Sequence, residues 1–149
     1  MTFSIKRLFL PLLVLVPALA LAACGGSDSP PVDDGEAVKK GEALVKSNAC
    51  GSCHTSTTAS DGLLAGQDSS VTNSSVSGPN LTPDTETGLG SWTVEQITAA
   101  IRTGVDEKGE KLCVAMPKFD LTDDETASVV AYLKSIPAVK RVLPEPTCQ

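Results

Sequence analysis

The sequence predicts an all-α domain. Three segments carry apolar residues at helical spacing, two of them open on a capping box, and no segment alternates as a strand would. No internal repeat is present. The first helix starts at Asp33 or Asp34, with Glu36 in its first turn, and runs through Ala37, Gly41, Leu44 and Val45 toward Asn48. The second is announced by Thr93-Val94-Glu95-Gln96, places Ile97, Ala100 and Ile101 on one face, and stops near Gly104. The third has the same start in Thr122-Asp123-Asp124-Glu125. Val129, Val130, Leu133 and Ile136 form its apolar face, and Pro137 ends it. Thr55 to Ser77 is dominated by Ser, Thr, Gly and Asp and reads as a long loop. Its apolar punctuation is confined to Leu63-Leu64, Val71 and Val76.

The first helix leads into Cys50-Gly51-Ser52-Cys53-His54. Cys-x-x-Cys-His is the attachment pattern of a c-type haem. Two thiols three residues apart reach the two vinyl groups of one porphyrin as thioethers, and the adjacent imidazole is held where it can bind the iron. His54 is the only histidine of 149 residues, which excludes bis-histidine ligation within the chain and a second haem of this type. Other readings are weaker. A thioredoxin-like motif needs a βαβ context, and a zinc site needs four ligands, for which Cys113 and Cys148 lack the paired spacing. A plain Cys50–Cys53 disulfide stays open as an alternative.

The other axial ligand must come from the remaining inventory. Met116 is the only methionine left once Met1 departs with a leader. A thioether is a soft, neutral ligand, and a Met/His pair favours ferrous iron. Met116 lies in Ala115-Met116-Pro117, between the second and third helices, where proline stiffens the loop. The alternative is a core-filling methionine, with a lysine, water or vacancy in the sixth position.

Met1 to Ala23 reads as an export signal, with Lys6-Arg7 followed by an apolar run interrupted by Pro11 and Pro17, too short to span a bilayer. Its end, Leu21-Ala22-Ala23-Cys24, resembles the lipobox of bacterial lipoproteins, which implies a lipid anchor on Cys24; an ordinary signal with an incidental cysteine is the alternative. The absence of Asp after Cys24 favours an outer membrane where there are two. Residues 24–34, rich in Gly, Ser, Pro and Asp, form a tether, and 35–149 form the domain with its C-terminal tail. Export places the chain on the periplasmic or cell-surface side, where disulfides persist. Of five cysteines, Cys113 and Cys148 remain after lipid and haem are assigned, and we expect them to pair. Such a loop contributes about 3–4 kcal/mol in the chain-entropy model.

The whole chain carries a formal charge of −6, and loss of Lys6 and Arg7 with the signal makes it more acidic. That excludes nucleic acid as a partner and suits a redox partner with a basic docking patch; a plain solubilising surface is the alternative.

The order of parts resembles a class I monohaem cytochrome c over roughly residues 35–137. The parts are an N-terminal helix, Cys50-Gly51-Ser52-Cys53-His54, Gly78-Pro79-Asn80-Leu81, Trp92 before a helix, Met116-Pro117, and a C-terminal helix with Tyr132-Leu133. The resemblance implies a small helical fold packed around one covalent haem c. It implies that the Pro79 carbonyl orients His54 and that Gly41 and Val45 cross the last helix near Tyr132 and Leu133. By the same analogy Leu81, Trp92, Ile97 and Ile101 line the haem pocket. Arg102 holds a propionate on that analogy, a solvated helix arginine being the alternative. Asn80-Leu81-Thr82-Pro83-Asp84 and Gly88 to Trp92 look like cytochrome domains serving bacterial dehydrogenases and respiratory complexes. The Ser/Thr-rich insertion and the Cys113/Cys148 pair depart from the compact pattern. The expected function is one-electron transfer with no bond chemistry. The alternatives are a cytochrome subunit of a membrane dehydrogenase or respiratory complex, and a haem sensor or enzyme with a displaceable sixth ligand.

Overall fold

Four helices follow one another in a computed structural model that describes residues 34–57, 62–68 and 77–144. They are α1 (Asp34–Ser47), α2 (Gly51–His54), α3 (Val94–Thr103) and α4 (Asp123–Ser135). Among the described residues there are no strands, only isolated bridges at Thr55–Gly66, Gln67–Gly78 and Val105–Lys111. The leader, Cys24, most of the tether, part of the Ser/Thr-rich loop and Cys148 lie outside the described residues. No helix among those described is long and apolar enough to cross a membrane.

Helix ends fall where side-chain chemistry puts them. Thr93 caps α3 by accepting from the Gln96 amide at 3.2 Å, while Gln96 Oε1 accepts from the Thr93 amide at 2.8 Å. Thr122 and Glu125 repeat the arrangement at α4, at 3.2 and 2.9 Å. The Thr122 backbone and hydroxyl donors hold the Glu125 carboxyl below its usual range. Helix α3 stops at Gly104, which takes the left-handed conformation. α4 ends one residue earlier than its apolar pattern, because Ile136 precedes Pro137 and is driven into extended backbone. At the other end of the chain, α1 begins at Asp34, the last residue expected in the tether.

α1 ends differently, without glycine. Ala49 adopts φ 53°, its amide donates to Lys46 O at 3.0 Å, and the Cys50 amide reaches back to Val45 O at 3.1 Å. This pair of bonds is a Schellman motif, in which Cys50 is the first residue past the reversal. Val45 and Cys50 both join the apolar core, closing the motif with side-chain contact.

The core lies where α1 and α3 meet α4. Val45, Leu64, Leu89, Ile97, Ile101, Val129, Val130, Tyr132 and Leu133 are buried in it. α1 crosses α4 at Gly41, where an added Cβ would stand 1.9 Å from Ser128 O and 2.8 Å from Tyr132 Cβ. The glycine is therefore a requirement of backbone approach, and the expected crossing by Gly41 and Val45 is what the structure contains.

Candidate functional site

The motif Cys50–His54 forms a single helical turn directly after the Schellman reversal. Cys50 and Cys53 are free thiols, both half-buried, so the disulfide alternative is not what this structure holds. Burial pushes the Cys50 thiol up from its ordinary value.

His54 is buried, with 5 % of its surface exposed. Its Nδ1 lies 2.8 Å from the Pro79 carbonyl oxygen, which can only accept, so Nδ1 carries the proton. Nε2 is thereby left as the lone-pair nitrogen, and no described residue hydrogen-bonds it. Burial lowers the imidazole pKa from 6.5, with the Pro79 bond opposing that shift, so the ring is neutral.

Two layers of backbone hold the ring in place. Gly66 donates to His54 O at 2.8 Å, and Thr55 Oγ1 accepts from Leu64 N at 3.0 Å. Behind them, Gln67 and Gly78 exchange amide bonds at 2.8 and 3.1 Å, and Leu81 N donates to Leu64 O at 2.8 Å. The 78–81 loop reaches the motif only because residue 78 has no side chain: a Cβ there would lie 1.9 Å from Cys53 O. Leu64, which takes part in both layers through its backbone, is fully buried at φ 64° with its side chain in the apolar core.

Leu81, Trp92, Ile97 and Ile101 share one apolar cluster with Cys50. Lys134, on the last turn of α4, steadies the approach to α3 by donating to Leu89 O at 2.6 Å and Trp92 O at 2.9 Å. Met116 is half-buried in the loop from α3 to α4. That loop hangs from the open end of α3: Leu112 donates to Gly104 O at 2.9 Å and Phe119 to Ile101 O at 3.0 Å. Both acceptors are carbonyls that the helix end leaves free. A turn from Cys113 O to Met116 N, 2.9 Å, then sets the methionine's position. Cys113 is disulfide-bonded.

Arg102 is not brought to this group. It pairs with Asp123 on the outer face of α3, beside a groove lined by Thr98, Ala99 and Lys118. Its neighbour Ile101 points the other way, into the core.

Asn80 and Thr82, quoted from the sequence only as part of a resemblance and given no role, are both buried, at 2 and 0 % exposure. Their partner is Val139 in the tail after α4: Asn80 Nδ2 donates to its carbonyl at 2.7 Å, and its amide donates to Thr82 Oγ1 at 3.1 Å. Gln67 is also buried, and its Oε1 has no hydrogen-bond partner.

Two free thiols, a buried imidazole with one nitrogen committed and the other open, and apolar walls beside Cys50 form a donor set that fits a covalent haem. The zinc alternative finds no support, since no cluster of three or more metal-ligating side chains occurs among the described residues.

Comparison with known proteins gives the same answer. Residues 38–137 match the family described as Cytochrome c. The chain is 31 % identical over 119 residues to the fructose dehydrogenase cytochrome subunit of Gluconobacter japonicus, covering 73 % of this chain and 24 % of that one. It is 30 % identical over 122 residues to the cytochrome c subunit of a quinone alcohol dehydrogenase from Gluconobacter oxydans, covering 79 % and 25 %. The gluconate 2-dehydrogenase cytochrome c subunit of Pantoea cypripedii is 30 % identical over 98 residues, covering 64 % and 22 %. The chain thus spans about a quarter of the length of these relatives. Motif, fold and kinship converge: the chain belongs to the cytochrome c family, all-α domains that carry covalent haem c and transfer electrons.

Proposed function

We propose that this chain is a one-electron carrier with a single haem c, joined to Cys50 and Cys53 and ligated by His54 and Met116. The haem, when bound, supplies the ferrous/ferric couple. The observation that carries the reading is the bond between His54 Nδ1 and Pro79 O, which fixes the tautomer and leaves Nε2 as the donor atom. Leu81, Trp92, Ile97 and Ile101 exclude water from the porphyrin face. Cys113 and Cys148 pair, tying the tail to the Met116 loop. Lipid on Cys24 confines the domain near a membrane on the periplasmic or cell-surface side and raises its concentration at membrane-bound partners. The acidic surface meets those partners through a basic patch.

A second reading is favoured by the relatives. Three of them are cytochrome subunits of dehydrogenases, which supports reading this chain as the cytochrome component of such a complex, with catalysis in another chain. Co-purification of a dehydrogenase with the tagged, membrane-extracted protein distinguishes it from a free shuttle.

The ligand set is tested by the optical spectrum of the oxidised, matured protein beside Met116→Ala. The weak long-wavelength charge-transfer band between methionine sulfur and ferric iron is expected in the parent and absent in the variant. A parent without the band removes Met116 as the ligand and brings forward an open sixth site.

A further inference from the structure

The tail after α4 reaches the loop that holds the haem histidine. Val139 is the anchor: its carbonyl accepts from Asn80 Nδ2 at 2.7 Å and from Thr82 Oγ1 at 3.3 Å, while its amide donates to the same Thr82 hydroxyl at 3.1 Å. Two residues on, the Arg141 amide donates to Thr87 Oγ1 at 3.0 Å. Leu143 then packs over Gly66, leaving no room for a Cβ there.

These bonds converge on residue 80, the direct neighbour of Pro79. Asn80 uses its whole amide: Oδ1 accepts from Thr82 N at 2.9 Å, and Nδ2 donates to Val139 O and to Thr87 Oγ1 at 3.1 Å. Neither Asn80 nor Thr82 has solvent to replace a lost partner. Among the described residues, the bond to His54 is the one hydrogen bond made by the Pro79 carbonyl.

We propose that Asn80 and Thr82 are positioning residues for the axial histidine, and that the 139–143 strap acts through them to hold the Pro79 carbonyl on Nδ1. The proposal rests on His54 being the iron ligand. A hydrogen bond from Nδ1 to a carbonyl makes the imidazole a stronger donor, which favours ferric iron. Releasing the strap lets that carbonyl drift, weakens the bond and moves the equilibrium toward ferrous.

The test uses the matured holoprotein and the ferrous/ferric ratio at one fixed ambient potential, read optically. Thr82→Val keeps the shape and removes the hydroxyl that serves Val139; Thr82→Ser keeps the hydroxyl. The valine variant is expected to raise the ratio about fivefold, the weight of one ordinary hydrogen bond, with the serine variant close to parent. Thr87→Val, which removes the acceptor for Arg141 and Asn80, shifts the ratio in the same direction and serves if Thr82→Val does not mature. A purely structural strap would lower the melting temperature and leave the ratio where it was. A low-spin parent with an unmoved ratio in both valine variants overturns the positioning role alone. A parent without the low-spin spectrum of two strong axial ligands overturns it together with the ligand assignment.

Discussion

Replacing Gly41 by alanine sets two effects of opposite sign against each other. In a helix interior alanine is favoured over glycine by about 1 kcal/mol. The new methyl, however, would lie 1.9 Å from Ser128 O and 2.6 Å from Ser128 C, both backbone atoms of α4. Carbon atoms in contact settle at about 3.5 Å, so α1 and α4 must part by about 1.5 Å at their crossing. No rotamer change relieves a clash with backbone. The cost belongs at the upper end of the overpacking range, about 3 kcal/mol, because parting the helices also loosens Val45, Val129 and Leu133. The net effect is a destabilisation of about 2 kcal/mol, a fall of about 10 °C in melting temperature for a domain of this size. Thermal unfolding of the holoprotein by far-ultraviolet circular dichroism measures it. Ala43→Gly, on the exposed side of the same helix, calibrates the propensity term at about 1 kcal/mol. A Gly41→Ala protein that melts at or above the parent would refute the close crossing.

Three further outcomes are expected. Ala49→Gly removes the left-handed penalty of a β-carbon at the end of α1 and stabilises the protein by about 0.5–1 kcal/mol after the extra unfolded-state entropy of glycine, read as a higher urea midpoint at constant slope. Lys134→Met removes the charged donor from the carbonyls of Leu89 and Trp92, leaving Leu89 O with the Trp92 amide alone, and lowers stability by about 1.5–3 kcal/mol, read in the same titration. Asp84 is held below its ordinary 3.8, first by the Thr87 hydroxyl and then by the Thr87 amide. Its folded pKa lies under the unfolded one, so its contribution is present above 3.8 and is lost as pH falls through the folded value. Asp84→Asn keeps the acceptor and removes the titration; the parent's advantage over it is expected to shrink in melts taken below that pH.

What was legible in the sequence was what is encoded locally. The pentapeptide at Cys50–His54 is five adjacent residues, and the boxes at Thr93 and Thr122 span four each; all three carry their meaning without any distant partner. Gly41 was legible through resemblance, and the steric reason for it appeared only with Ser128 in place. Asn80 and Thr82 entered the sequence reading only as part of a resemblance, without a role. Their burial depends on Val139, nearly sixty positions away, and no periodicity encodes such a pairing. Leu64 stands in a stretch dominated by Ser, Thr and Gly that reads as loop, yet its side chain is fully buried in the apolar core. Lys134 sits in the last turn of α4, and the carbonyls it serves lie 42 and 45 positions earlier, a pairing no local pattern announces. Arg102 shows the opposite limit: proximity in sequence to a pocket-facing isoleucine says little, since adjacent helical residues point about 100° apart.

The reversal at Ala49 bears on the order in which this protein can be assembled. The backbone bonds that end α1 and present the two thiols join residues within the stretch 44–54. Contacts of such short range close early, ahead of pairings across the chain. Pro79, Met116 and the strap are all distant in sequence, and their closure must wait for the rest of the domain. A newly made chain therefore offers its cysteines on an early-formed turn while the other side of the future pocket is still open. That turn needs no distant partner to present the two thiols, so its formation is separable from the closure of the rest of the domain.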